Sequence, residues 1–377
     1  MKNNDEYCRL LESLTRGAYT IEKDGLEIEV RNCADREEGR LDPRTFTAMT
    51  LTPEMFRNDK ENIDPELWGN MDHMFMPENA EQMTPLEIDR AWFGWTAIDY
   101  AAGVRTKVMN IDTDEGKLRI LVFEEPSLEK DRPCMVWIHG GGFYAGDVDS
   151  YVPHCRLLAQ KSGGVVVEVD YTLAPELRYP GNFDQCYAAL EWVYENADKL
   201  GISRKRIGIG GDSAGANIAL ACAVRDRNEG KGMLSYESLI YPLVDMTQTL
   251  EKNDYWAPEK YFNPENDPMV AGSSAFIGTL MERLMEYYLA SPEQAEDIYA
   301  SPLKTDLNGL PKTLLITMEY DYLREEGEAC AIKMKKAGTD VRCIRYGGVV
   351  HATFDRLHYA PQSEDMIDLM AEDLKRL

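Results

Sequence analysis

The sequence predicts an α/β protein, a mostly parallel central sheet with helices packed on both faces. Three observations predict it. From about residue 106 onward, apolar segments of strand length alternate with longer segments of helical character. Several strand candidates are unbroken β-branched runs without polar alternation, the pattern of parallel strands buried on both faces. Glycine clusters sit where two of these strands end, in WIHGGGF (137–143) and GIGGDSAG (208–215).

The strand candidates, in order, are KLRILVFEE (117–125), CMVWIH (134–139), GVVVEVDY (164–171), RIGIGG (206–211), ESLIYPLV (237–244), KTLLITME (312–319) and DVRCIRY (340–346). Helix candidates lie between or after them at 183–200, 214–228, 324–337 and 363–377. Two regions break the rhythm. Residues 1–105 precede the alternation and carry the aromatic cluster Trp92-Phe93-Gly94-Trp95. Residues 245–300 interrupt it between two core strands, after ESLIYPLV, and include TLMERLMEYYLA (279–290), apolar at helical spacing. The expected organisation is an N-terminal extension and cap over 1–105, a first core part over 106–244, a cap insert over 245–300 and a second core part over 301–377. A helical lid is one use of the two additions; extra scaffold or an oligomer interface is the other.

Composition narrows the partners. The 377 residues are 44% hydrophobic and 28% charged, an ordinary globular balance. The formal charge of −25 makes the surface repel phosphate backbones and anionic lipid, so nucleic acid and membrane partners are not expected. No segment is apolar enough to span a bilayer, and the start, MKNNDEYCRLLESL, lacks the apolar stretch of a signal peptide. The eight cysteines are scattered with no C-x-x-C pair, so neither a disulfide framework nor a zinc site is indicated. The reading is a cytoplasmic protein that needs no metal and no cofactor, with a homodimer left open.

The chemistry is carried by Gly211-Asp212-Ser213-Ala214-Gly215, a G-x-S-x-G placed after an apolar strand and before an Ala-rich helix. In that context a tight turn exposes the serine hydroxyl above the sheet, and the flanking glycines leave room for neighbouring backbone. The motif alone arises by chance in roughly one chain in ten of this length, whereas a histidine followed by three glycines is expected in about two per thousand. A similar string, GSSAF at 272–276, has Phe276 where the second glycine belongs. A serine nucleophile needs a base and a group to orient the base. Of the five histidines, His351 lies just past the last strand candidate in GGVVHATF and is preferred, with His358 next; His73 and His154 lack a strand-end setting. Asp321, after KTLLITMEY, preserves the order Ser, Asp, His, with Glu319 and Asp245 as competitors. A phosphate-binding role for His139-Gly140-Gly141-Gly142 is disfavoured because no Lys-Ser or Lys-Thr follows.

On these residues the sequence resembles the hormone-sensitive-lipase-like esterases of the α/β-hydrolase fold, in their GDSAG branch. The matching segments are WIHGGGF, DYTLAPE (170–176), IGIGGDSAGANIA, YPLVD (241–245), residues 301–338 and YGGVVHATF, spread over most of 106–360. The resemblance implies Ser213 as nucleophile, Asp321 as orienting acid and His351 as base, with the N–H groups of Gly141, Gly142 and Ala214 forming an oxyanion hole. It implies a serine carboxylesterase acting on short- to medium-chain acyl esters, acetyl esters among them, and a small-molecule ester as the partner. Trp92, Phe93, Trp95, Phe143 and Asp212 are the candidate substrate contacts. Three departures stand out: Thr172 replaces the usual arginine before Leu173-Ala174-Pro175-Glu176, Tyr322 and Glu325 alter the segment after Asp321, and Ala352-Thr353-Phe354 replaces Gly-Phe after the base. An amidase, lactonase or carbamate hydrolase with the same triad is the enzymatic alternative, and a non-catalytic ligand-binding relative is the other.

Overall fold

The computed structural model describes residues 4–45, 80–91, 93, 97–127, 129–247, 270, 281 and 283–377. The strands are β1 (Tyr19–Lys23), β2 (Leu26–Arg31), β3 (Arg105–Thr113), β4 (Gly116–Glu124), β5 (Arg132–Ile138), β6 (Val165–Asp170), β7 (Ile202–Asp212), β8 (Tyr236–Ile240), β9 (Lys312–Met318) and β10 (Val341–Tyr346). The helices used below are α1 (Asn4–Arg16), α2 (Pro85–Ala91), α3 (Val148–Ser162), α4 (Gly181–Glu195), α5 (Ala214–Glu229), α6 (Arg324–Ala337) and α7 (Pro361–Arg376). The strands form one sheet in the order β1-β2-β10-β9-β8-β7-β5-β6-β4-β3. It is parallel from β2 through β6, and antiparallel where β1 joins β2 and where β6 meets β4 and β4 meets β3.

The central strands form because their side chains are mostly apolar on both faces. All seven residues of β5 are buried, as are all five of β8. One face packs α1, α3 and α7 over Met135, Trp137, Val166 and Ile316; the other packs α4, α5 and α6 over Val136, Val167 and Ile209. Chain order reverses around β5. The chain leaves β5 for β6 on one side, then returns through α4 to β7 on the other. Loops after β5 and β7 therefore diverge to opposite faces and leave a crevice between them, where open α/β sheets bind ligands.

Three elements differ from the sequence expectation. Residues 19–31, assigned with the N-terminal extension, are two strands of the sheet itself. Asp24 (φ 52°) and Gly25 (φ 84°) form the turn between them, and β2 runs parallel to β10. Leu26, Ile28 and Val30 alternate with Glu27 and Glu29 beside the Asp-Gly turn, a local hairpin signal that assigning residues 1–105 to an added segment passes over, whereas the pairing of β2 with β10, more than 300 residues away, has no local sign. Helix α3 has no counterpart among the helix candidates, and Pro153 sits inside it. Asp147 caps the start of this helix by accepting from the Ser150 N–H at 2.8 Å. Strand β8 stops at Ile240, short of the expected residue 244, because Pro242 cannot donate to a ladder. Of the segment 279–290, residues 283–288 are helical, while 279, 280 and 282 lie outside the described residues.

Candidate active site

Ser213 is the single residue between the end of β7 and the start of α5. Its backbone is held at φ 54°, ψ −118°, a conformation costing about 1–3 kcal/mol for a residue with a side chain. The sheet holds it there. The Ser213 N–H donates to Ile240 O at 2.9 Å, and the Leu243 N–H donates to Ser213 O at 3.4 Å. The two glycines of the motif have a measurable reason. A Cβ on Gly211 would lie 2.4 Å from Ile138 O, and one on Gly215 would lie 2.1 Å from the same oxygen. The end of β5 crosses directly over the turn, and only glycine lets it pass.

Two loops from the same sheet edge bring partners to this hydroxyl. His351, in the turn after β10, places Nε2 2.9 Å from Ser213 Oγ and Nδ1 2.8 Å from Asp321 Oδ2. A carboxylate can only accept, so Nδ1 carries the proton and Nε2 presents its lone pair to the serine hydroxyl. Asp321, buried just past β9, accepts the Leu323 N–H at 2.9 Å with its other oxygen, which fixes the plane of the carboxylate. Burial alone would depress the His351 imidazolium. The facing carboxylates, Asp321 first and then Asp212 and Asp355, outweigh it and hold its pKa above the ordinary histidine value.

The competitors lie elsewhere. Glu319 accepts from Arg36 and from the Gly348 N–H, and Asp245 accepts from the Thr247 N–H at 2.8 Å. His358 rests between the rings of Tyr7 and Tyr100. His154 bonds Phe354 O through Nε2, and burial pushes its pKa down to about 4. His73 and the string at 272–276 lie outside the described residues.

The loop after β5 supplies the other wall. Gly141 (φ 115°) and Gly142 (φ 62°) adopt backbone that favours glycine, and a Cβ on Gly141 would sit 2.1 Å from Ala145 O. The Gly140 N–H donates to Asp212 Oδ1 at 2.9 Å, which ties this loop to the residue before Ser213. His139 braces it from below: Nδ1 donates to Gly140 O at 2.7 Å, and the ring stacks on Tyr171 at 4.5 Å. Ala214 opens α5, where N–H groups have no intrahelical acceptor.

A cavity of about 60 Å³ adjoins Ser213 and His351, and Phe93, Gly141, Tyr151, Asp212 and Asp355 are among its lining residues. Phe93 and Asp212, two of the expected substrate contacts, thus face it. Phe143 does not line it. Its positive φ of 67° turns the ring into the core, where it stacks on Tyr288 with centroids 3.8 Å apart. Trp92 and Trp95 lie outside the described residues. Sequence reasoning missed Tyr151 and Asp355. The Tyr151 hydroxyl lies 2.9 Å from Asp212 Oδ2 and 3.0 Å from Asp355 Oδ1, and burial raises the pKa of both carboxyls. Tyr151 sits on α3, which no helix candidate covers, and Asp355 lies just past the segment that departs from the family pattern, so neither had a motif to announce it. Among the described residues one group has ligand-type atoms within 4.8 Å of one another, Cys33, Asp35 and Asp42; Arg44 already bridges its two carboxylates. No described helix is long and apolar enough to cross a membrane.

The comparisons agree with this architecture. Residues 135–355, more than half of the chain, match a family model for the alpha/beta hydrolase fold. Carboxylesterase NlhH of Mycobacterium tuberculosis is 31% identical over 236 residues, 62% of this chain and 70% of that protein. Among solved structures, EstE1, a thermostable carboxylesterase cloned from a metagenomic library, is 36% identical with a TM-score of 0.65, covering 74% of this chain and 90% of that one. A hyperthermophilic esterase of the archaeon Pyrobaculum calidifontis is 35% identical with a TM-score of 0.64, covering 72% and 85%. A strained serine at the switch point of this sheet, with relatives of this kind over most of its length, has one consistent reading: the chain belongs to the hormone-sensitive-lipase-like family of α/β-hydrolases and is a carboxylic ester hydrolase.

Proposed function

We propose that ester hydrolysis here runs through Ser213 as nucleophile, His351 as general base and Asp321 as the group that orients it. The observation that carries this reading is the hydrogen-bonded row from Asp321 Oδ2 through His351 to Ser213 Oγ, at 2.8 and 2.9 Å. In the forward step Ser213 Oγ attacks the ester carbonyl while its proton passes to His351 Nε2. The carbonyl oxygen becomes an anion received by the N–H groups of Gly141, Gly142 and Ala214. Collapse breaks the bond to the alcohol oxygen, which takes the proton from Nε2 as the alcohol leaves. Water then repeats the sequence on the acyl-enzyme and returns the free acid.

Short- to medium-chain acyl esters are the proposed substrates. The carboxylesterase names of the relatives support the class. Residues 1–105, apart from the two strands and α1, together with 245–300 would form the cap, with Phe93 as its described contact to the cavity and Trp92 and Trp95 as further candidates. All eight cysteines are thiols and seven are buried, which supports a reducing, cytoplasmic setting. Ser213→Ala is expected to lower turnover of p-nitrophenyl acetate and butyrate by at least about a thousandfold, read as kcat in a chromogenic assay. Substantial residual turnover by the purified variant would sink the assignment.

A further inference from the structure

Helix α2 begins with Thr84-Pro85-Leu86-Glu87, a capping box with proline at the first helical position. The Glu87 N–H donates to Thr84 Oγ1 at 3.3 Å, and Glu87 Oε2 accepts the Thr84 N–H at 2.7 Å. This short, well-started helix fixes the direction of two side chains in its last turn. Asp89 pairs with Arg283, in the helical stretch 283–288. Arg90 points to the core and grips two separate loops. Its Nε donates to Tyr144 O at 2.7 Å, in the loop after β5. One terminal nitrogen donates to Ala174 O at 2.9 Å and to Glu176 Oε2 at 2.6 Å, and the other donates to Glu176 Oε1 at 2.8 Å.

The carbonyl that Arg90 holds belongs to the turn carrying Gly141 and Gly142. Gly141 O accepts the Tyr144 N–H at 3.3 Å and the Ala145 N–H at 2.9 Å, so Tyr144 closes the turn that Gly141 opens. Phe143 O accepts the Ala174 N–H at 2.9 Å, which laces the same turn to the loop Arg90 also holds. Phe93, a little further along the chain, meets the Tyr144 ring edge-on at 5.9 Å and lines the cavity beside Ser213. A planar guanidinium is suited to this task because it offers five donors in fixed directions, and an ammonium cannot satisfy both carbonyls and a bidentate carboxylate from one point.

We propose that Arg90 is a positioning residue for the reaction: through Tyr144 O and Ala174 O it holds the Gly140–Gly146 loop in the geometry that receives the transition-state anion. It makes the readiness of that loop depend on the docking of helix α2. This rests on the triad and oxyanion reading above. The ion pair with Glu176 is solvent-exposed and contributes little by itself. What matters is that it aims the guanidinium at the two carbonyls.

The test is Arg90→Ala, assayed with p-nitrophenyl butyrate after the active serine has been counted with a fluorophosphonate. Per labelled site, kcat is expected to fall about tenfold or more while KM changes less than about threefold, because the loop contributes to the anion and not to ground-state binding. The Ki of a trifluoromethyl ketone, which forms an oxyanion on Ser213, should rise by the factor that kcat/KM falls. Arg90→Lys should recover part of the loss, since one ammonium can hold one carbonyl. A kcat within twofold of the parent, or a loss confined to KM or to the labelled fraction, overturns the proposal. If Arg90→Ala does not fold, Glu176→Gln decides: kcat about threefold lower at unchanged KM supports the role, and unchanged kcat removes it. A parent enzyme that the phosphonate fails to label at Ser213 would instead defeat the triad reading, so the two failures are distinguishable.

Discussion

Two neighbouring turns at the same sheet edge are held in different ways. The Ser213 turn is restrained by the core alone, through the Ile240 carbonyl and the close passage of β5 over Gly211 and Gly215. The loop from Gly140 to Gly146 is held at one end by the core, through Asp212 and His139. At its other end the core holds it through the Ala174 N–H on Phe143 O, and the added segments hold it further: Arg90 on the Tyr144 carbonyl, Tyr288 on the Phe143 ring and Tyr287 against Tyr144. The nucleophile is thus built by packing that any folded sheet of this topology supplies. The loop facing the developing charge is held in part by side chains that reach it from the added segments.

Substitutions can break this contrast, and the largest effect belongs to the core. Gly215→Ala would ordinarily favour a helix by about 0.5–1 kcal/mol. Here the new methyl meets Ile138 O at 2.1 Å, so the end of β5 and Ser213 must move apart. Turnover is expected to fall by about a hundredfold or more, with a lowered melting temperature. A variant as active and stable as the parent would remove the packing explanation of the motif.

Tyr288→Ala acts from the added segments and should do less to the nucleophile. It deletes a fully buried ring stacked on Phe143, at a cost of about 3–5 kcal/mol in chemical denaturation. Phosphonate labelling of Ser213 should persist while kcat falls several-fold. Loss of both in proportion would mean that the two turns are one mechanical unit. Tyr288→Phe is the control, since the buried Tyr288 hydroxyl has no hydrogen-bond partner among the described residues and its removal should be neutral or stabilising.

The smallest effect is electrostatic. His351 must be neutral to accept the serine proton, and its pKa is raised, so activity should be lost as pH falls through a limb lying above the ordinary histidine value near 6.5. For the fold the sign is the reverse. A raised histidine pKa contributes stability that is full below the unfolded value and fades as pH rises through the folded one. Asp355→Asn removes one of the negative charges that raise it. The acidic limb of the kcat/KM profile should move to lower pH, with turnover on the alkaline plateau within about threefold of the parent. A limb that stays in place would show that Asp355 does not act on His351.

How much of this was legible depended on where each residue sits relative to a strand end. Ser213, Asp321 and His351 come within a few residues of the ends of β7, β9 and β10, and parallel strands deliver the residues beyond their C-terminal ends to one edge of the sheet. Their proximity was therefore readable from chain order and strand-like runs. Tyr151 and Asp355 were not readable, because no helix candidate covers α3 and Asp355 lies after the base in a turn with no regular period. The hairpin β1–β2 was readable from its Asp-Gly turn and the alternation in LEIEVR, while its parallel pairing with β10, hundreds of residues distant, was not.

The sequence by itself determined the alternation of elements, the glycines that let β5 cross the serine turn, and the family. These depend on side-chain size and polarity read locally along the chain. Only the tertiary structure decided that Phe143 packs into the core instead of facing the cavity, that Asp212 and Asp355 share one tyrosine hydroxyl, and that Arg90 reaches the Tyr144 carbonyl 54 residues away. Each of those is a distance between segments far apart in the chain, and such distances exist only after the sheet and the segments above it have packed.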